Sequence, residues 1–463
     1  METKMDAKIE HTVRCLEEEL KSVSNKIPKW SIFRIPKRLR HVNPEAYTPH
    51  LISIGPLHHG NNSLSYMEKH KQNYLFALLS RTGSDYSKVL DACVRTMVGI
   101  ESQADNCYAG HIPNDGLNLS KILITDSCFI IELFLRYYWE VVVGNKDDIL
   151  RLSDCKLLSR PNNTTCMNDD PIFQSNWIIS TLRRDLALLE NQIPLFVLQE
   201  LLNTLATVAC CRNSLQNNLL AGLIFQFFKP DLCSNPERNR EAAPSQQQHR
   251  HLLHLLHIFH LPAGNRRGQS GDSTGRKVKF IDTNVTNLID VGMKLRVKQD
   301  SGLFNFNFDN NGVLEIPQLR IHEWSDSLFR NLMAFEHCFH GGGQFIASYI
   351  NLMNCLIENK DDVKLLKGKQ IITNELGGAE YMVDFFKEIC EQVVIQDFYF
   401  HDSCEKINKY YQSRWRRVLS ERLDSWVVSR TILQLALELR MRSTWSSNEF
   451  SSQNYVKKMD SLT

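Results

Sequence analysis

The sequence predicts a mainly α protein, a large helical domain carrying a small antiparallel β-meander. Two observations predict it. Over most of the chain apolar residues recur at helical spacing, as in Met67, Tyr74, Leu75 and Leu78, and a repeat of about 3.6 residues marks an amphipathic helix. After Gly292 the pattern alternates instead: Met293, Leu295 and Val297 interleave with Lys294, Arg296 and Lys298, and Phe304, Phe306 and Phe308 with Asn305 and Asn307. Alternation of that kind lays one apolar face on a sheet.

Taken in order, Met5, Ile9, Val13, Leu16 and Leu20 predict a short peripheral amphipathic helix. Between Lys21 and Pro44 there is no acid, while Lys26, Lys29, Arg34, Lys37, Arg38 and Arg40 gather around Pro28 and Pro36. Such a run would contact acidic lipid or phosphate, or form a solvated arm whose Trp30, Phe33 and Ile35 tuck into the core. The prolines and glycines of 42–60 forbid long helix, so this stretch reads as an extended connector buried on one side. Helices are expected at about 64–80 and 86–109. Ile122 to Trp139 is largely apolar but broken by Asp126, Glu132 and Arg136, which makes it a core helix and not a membrane span.

The stretch from Asp185 to Leu198 sets Asp185, Glu190, Asn191 and Gln192 among dense apolar residues. A buried polar group without a partner costs about 1–3 kcal/mol, so these side chains must bond backbone or helix ends, or do chemistry. Pro194 resists a helix interior, so one helix is expected to end near Asn191 and another to begin just beyond the proline. The polar trio then sits at a helix junction, where backbone groups need partners.

Ser234 to Arg250 and Pro262 to Arg276 are low-complexity loops flanking one short helix at His251–His257. With Asp300-Ser301-Gly302 and Asp309-Asn310-Asn311-Gly312 as turns, the alternating region forms the meander, whose greasy face needs a cover. Helices resume near Ser325 and continue, with breaks, through Leu332, Tyr349, Leu356, Tyr381, Tyr410 and Trp415.

Composition excludes several classes. The 463 residues, 43% hydrophobic, suffice for a sizeable core. With 54 Lys and Arg against 52 Asp and Glu, no global field draws the chain to nucleic acid or a membrane, and any electrostatic partner must be local. Thirteen scattered cysteines without a Cys-x-x-Cys argue for reduced thiols inside the cell. The amino terminus has no signal-peptide pattern, so the Asn-x-Ser/Thr triplets at Asn61, Asn118, Asn162, Asn163 and Asn284 read as chance matches.

Several motifs together resemble one family. Arg34-Ile35-Pro36, Asn43-Pro44-Glu45-Ala46-Tyr47-Thr48-Pro49, the run Ile52 to Gly60, Met67-Glu68-Lys69-His70-Lys71, Asp126 to Phe134, Leu188 to Pro194 and Leu328 to Glu336 resemble consecutive blocks of the plant family called domain of unknown function 247. The likeness runs with gaps from about residue 30 to about 425. It implies proteins that are generally membrane-associated and implicated in reproductive recognition, including self-incompatibility. The carboxyl end departs from the family pattern. Trp426-Val427-Val428 begins something like the family's hydrophobic anchor, but Arg430, Glu438, Arg440 and Arg442 interrupt it, and a span needs about 20 mostly apolar residues.

Three constellations point toward chemistry and each has a plainer explanation. Gly271-Asp272-Ser273-Thr274-Gly275 and His340-Gly341-Gly342-Gly343 have the letters of a serine hydrolase, but neither the loop context nor the order suits a nucleophile elbow. His251, His254, His257 and His260 precess by about 60° per step, so all four cannot converge on a metal; packing with exposed or capped imidazoles is expected. Asp126 and Glu132 lie about 120° apart around their helix and form no dyad alone; Glu190 would reach them only by tertiary packing. Arg136, Arg183, Arg184 or helix amino termini are the expected partners of these acids. No Walker loop, dinucleotide fingerprint or His-Glu-x-x-His occurs.

The expected organisation is an N-terminal tail at 1–29, a single domain at 30–440 and a polar tail at 441–463. The domain comprises a helical half at 30–260, a loop at 261–277 and the meander with its helices at 278–440. No catalytic, cofactor-binding or metal-binding residue is assigned. The expected function is non-enzymatic recognition or regulation through an unknown protein partner, in the cytoplasm and peripheral to a membrane, without nucleic acid. The alternative is a hydrolase or transferase using Asp126, Glu132 and Glu190.

Overall fold

The computed structural model describes residues 2–22, 30–110, 118–142, 157–158, 170–210, 219–229, 250–262, 280–299, 302–309, 311–339, 343–374, 377–391, 393–417 and 435. It is mainly α with a few short strands. The loops at 234–249 and 263–276, the Gly-x-Ser-x-Gly letters and, apart from residue 435, the segment from Trp426 lie outside the described residues.

The helical half is organised around α5 (Leu119–Tyr137), buried along nearly its whole length. The side chain of Asn118 starts it by accepting from Lys121 N–H at 2.9 Å, which satisfies one of the donors a helix start leaves open. Asn61 and Asn284, two others of the triplet asparagines, cap helical turns in the same way. Packed on α5 are α3 (Ser65–Ser80), α4 (Tyr86–Asp105), α7 (Leu195–Val208) and α8 (Leu219–Phe228). The predicted break at Pro194 is present, but α6 (Asn176–Leu186) ends earlier than expected. Residues 187–193 form turns, because the Asn191 and Gln192 side-chain amides bond the carbonyls of Asp185 at 2.9 Å and of Leu186 at 2.7 Å.

Three short helices complete the connections: α2 (Lys37–Val42), α9 (Leu252–His260) and α10 (Val285–Asp290). The halves meet at α11 (Ser325–Cys338), which packs on α9, on the helical turn Pro44–Tyr47 and on α12 (Phe345–Leu356). Helices α13 (Lys360–Gly368), α14 (Ala379–Cys390) and α15 (401–417) follow. The amino-terminal helix α1 (Glu2–Ser22) leaves its apolar stripe exposed.

The sheet corrects the simple meander. β1 (Lys294–Lys298) pairs in parallel with β3 (Val313–Pro317), and β2 (Asn307–Phe308) pairs antiparallel on the other side of β3. The aromatic run explains this order. Phe304 and Phe306 turn onto Phe400, with ring centroids 6.0 and 5.6 Å away, so only Asn307 and Phe308 remain to join the sheet. Phe345, Tyr349 and Phe400 supply the expected cover. A second parallel pair joins β4 (Leu319–Ile321) to β5 (Ile372–Asn374). Trp30, expected in the core, is 46% exposed, whereas Ile35 is buried and Phe33 packs against the core.

The connector at 50–56 passes through the core in extended form. Gly55 has φ +74°, and a Cβ there would lie 2.4 Å from the carbonyl oxygen of Gln192. Gly55→Ala therefore combines backbone strain of about 1–3 kcal/mol with a main-chain overlap. A lower melting temperature in thermal denaturation is expected; a value equal to the parent's would contradict this packing.

Candidate functional site

The densest polar cluster of the core is the meeting of the connector with residues 185–192. Asp185, fully buried at the end of α6, accepts N–H bonds from His50, Leu51 and Ile52 at 2.7–3.1 Å. Arg184 bonds the same carboxylate at 2.8 Å and also donates to the carbonyls of Thr48 and Glu45. Asn191 accepts from Ile54 N–H at 2.6 Å and donates to the Ile52 carbonyl at 3.0 Å, as a neighbouring strand would. Gln192 donates to the carbonyls of Leu186 and Leu188 and accepts from Leu253 N–H in α9. Burial pushes the Asp185 carboxyl up, against the pull of the three backbone N–H groups and Arg184.

The acids proposed as a possible chemical centre are held apart, each by its own cation. Asp126 accepts from Lys71 Nζ and from Gly55 N–H, both at 2.8 Å. Glu132 takes Arg81 at 2.6 Å and Arg136 at 2.8 Å, and Arg136 continues to Asp170 at 2.7 Å. Glu190 accepts from Ile35 N–H and from Arg40 Nη2, both at 2.6 Å, with His58 Nε2 3.5 Å away. Of the expected partners, Arg136 serves Glu132, whereas Arg184 serves Asp185 and Arg183 bonds the Phe227 carbonyl and the Tyr137 hydroxyl. The difference arises because α6 turns Arg183 toward α5 and α8 while the connector comes to Arg184.

Sequence reasoning missed Lys71, whose side chain is wholly buried. The signal was present: Lys71 falls on the α3 stripe of Met67, Tyr74 and Leu78. Burial works against its charge, but Asp126 and Glu68 outweigh this and hold the ammonium above its usual range. Glu190 shows the opposite sense for an acid. Burial raises it, but the contacts of His58, Ile35 N–H and Arg40 hold its carboxyl below the usual range.

The basic run is partly consumed inside the fold. Arg40 is the Glu190 partner and Arg38 donates to His337 Nε2 at 2.8 Å, while Arg34 and Lys37 stay exposed. The histidine row packs as expected and His251 is a capping imidazole, but His257 and His260 are buried and not exposed. They face α11, where Phe335 lies 5.2 Å from the His251 ring and 5.6 Å from the His257 ring. His251 caps α9 and meets the Ser31 carbonyl at 2.8 Å. His257 contacts Glu336 at 2.7 Å, and both ring nitrogens of His260 lack a hydrogen-bond partner among the described residues. No group of three or more His, Cys, Asp or Glu suited to a metal ion occurs among the described residues.

Two predictions follow from this chemistry. Asp185→Ala takes the acceptor from the N–H groups of His50, Leu51 and Ile52, and the buried Ile52 donor alone then costs about 1–3 kcal/mol, so urea unfolding should show a clear loss. Asp185→Asn keeps one acceptor and should fall between Ala and parent; equal stability of all three would contradict the clamp. Burial drives His251 down to about 3 and His260 to about 4, with His257 and His322 adding repulsion against a charged His260. Below an unfolded value of about 6.5 the unfolded chain binds protons that these folded rings refuse. Stability should therefore fall as pH drops from about 6.5 toward 4. His260→Phe should flatten that fall in melting temperature, and an unchanged slope would contradict the assignment.

Comparison with known proteins now bears on identity. The chain is 28% identical over 418 residues to UPF0481 protein At3g47200 of Arabidopsis thaliana, covering 83% of this chain and 78% of that one. It is 22% identical over 484 residues to putative UPF0481 protein At3g02645 of the same plant, covering 86% and 85%. No solved structure matches it. The model of the family DUF247, described as a plant protein of unknown function, matches residues 32–434. With that match spanning the connector, the polar cluster and α11, the chain belongs to the plant DUF247 family.

Proposed function

We propose that this chain is a non-enzymatic recognition or regulatory protein that works by contacting a protein partner. The carrying observation is the engagement of its buried acids. A general base needs a free lone pair and access to substrate, yet Asp126, Glu132 and Glu190 are 2%, 1% and 5% exposed. Each already accepts from a cation, and Asp126 and Glu190 also accept from a backbone N–H. That use of the acids favours recognition over a hydrolase or transferase.

The surface offers contact chemistry instead. Tyr66, Phe76, Tyr86 and Trp177 are 67%, 61%, 57% and 60% exposed, and large rings are the residues that anchor protein interfaces. The proposal places this contact beside a membrane, where exposed Arg34 and Lys37 would meet acidic lipid. No described helix is long and apolar enough to cross a membrane.

Proximity labelling in plant tissue tests the reading. Phe76→Ala or Trp177→Ala should lose protein neighbours that the parent and Glu190→Gln both retain. A Glu190→Gln chain that folds normally yet behaves as a null in the plant would overturn it in favour of acid chemistry.

A further inference from the structure

Helices α3, α4 and the start of α5 border an open groove of about 710 Å³. Leu75, Leu90, Val94, Val98 and Ile124 give it an apolar stripe, Gln72 and Thr125 add polar groups to its wall, and Glu101 and Lys121 stand at one end. Val94 and Val98 are 39% and 59% exposed. Phe76 and Tyr86, ring against ring at 6.3 Å, extend the apolar surface at the other end.

The same chain carries an apolar stripe of matching kind. On α1, Met5, Ile9, Val13 and Leu16 are 68%, 55%, 49% and 51% exposed. Their spacing keeps them within about 80° of azimuth and spreads them over about 17 Å of helix. Leu90 to Glu101 of α4 covers the same length, about 17 Å at 1.5 Å per residue. We propose that this groove is the seat of α1, docked within the same chain with its apolar stripe against α3 and α4.

Three observations select this occupant. The first is the tether. The chain joins the domain at Ser31 and Ile32, whose N–H groups bond the Cys107 carbonyl just beyond α4. From there the Glu101 end of the groove is about 9 Å along the α4 axis. The stretch from Ser22 to Trp30 reaches at most about 29 Å, so the α1 carboxyl end arrives at the Glu101 and Lys121 end without strain. Charge is the second. This orientation brings Glu17 toward exposed Lys121, and it brings Lys8 toward the end that carries exposed Asp85. The third is the balance of exposed surface. Two apolar surfaces on one chain, each exposed by itself, remove area from water when they meet, at about 25 cal/mol per Å².

The inference goes beyond the recognition reading and stands independently of it, because docking needs no second protein. If both hold, a partner helix that takes the groove must first displace α1, and the amino-terminal segment becomes a built-in competitor.

Photo-crosslinking of the purified full chain tests it. Val13→benzoylphenylalanine should crosslink to Leu90, Val94 or Val98 within the monomer, with a yield unchanged by dilution. Val98→Asp, at an exposed position, should leave circular dichroism and melting temperature as in the parent and lower that yield about tenfold. Ile9→Asp, introduced on α1 itself, should do the same. Crosslinks between chains that increase with concentration would assign the groove to a second copy and overturn docking within one chain. Crosslinks elsewhere, or none, would overturn the seat altogether.

Discussion

The rest of the structure depends on one constraint: an extended segment runs through the middle of a helical core and, among the described residues, has no strand beside it to take its backbone hydrogen bonds. Residues 52–56 are buried. The N–H groups of His50, Leu51, Ile52, Ile54 and Gly55 end on side chains of Asp185, Asn191 and Asp126. Each buried donor left open costs about 1–3 kcal/mol. Three of these donors, those of Ile52, Ile54 and Gly55, lie in buried bonds, and together they are a large part of the roughly 5–15 kcal/mol by which a domain is stable. The polar cluster is therefore the element that lets helices pack around a non-helical strand, and its acids are spent on that task.

The same device recurs wherever segments distant in sequence meet. Glu336 accepts from the N–H groups of Ile346 and Ala347 at the start of α12. Asp362 accepts from Thr286 N–H as well as from its own helix start. Asn331 of α11 accepts from Leu189 N–H and donates to the Ala46 carbonyl, joining the two halves to the connector. Cations pair with the buried acids: Lys71 with Asp126, Arg81 and Arg136 with Glu132, Arg40 with Glu190. Removal of one member of such a buried pair strands the other, at about 3–5 kcal/mol. This explains how so many charged side chains can lie inside the core.

Much of the fold was legible in residue order. Apolar spacing located α3, α4 and α5 to within a few residues, and prolines and glycines marked 42–60 as extended. Pro194 broke the helix as a proline must, and the surrounding polar residues lie at the junction as anticipated. Arg136 was legible as the partner of Glu132 one helical turn away, but the partners of Asp185 were not, because Asp185 and Ile52 are 133 residues apart and only packing joins them. Lys71 escaped because a lysine on an apolar stripe ordinarily extends to water, and Asp126 is what keeps it inside. The strand order escaped because alternation reports which face is buried and says nothing of which strand is adjacent. The histidine row was read by its azimuths alone, while α11 covers the side that would otherwise face solvent.

Native-state hydrogen exchange on the connector tests the central claim most directly, since clamped backbone opens only when the core opens. The account predicts that the amides of Ile52, Ile54 and Gly55 exchange through global unfolding, as slowly as those of α5. Exchange at the rate of an exposed loop, in a chain that is otherwise folded, would contradict it.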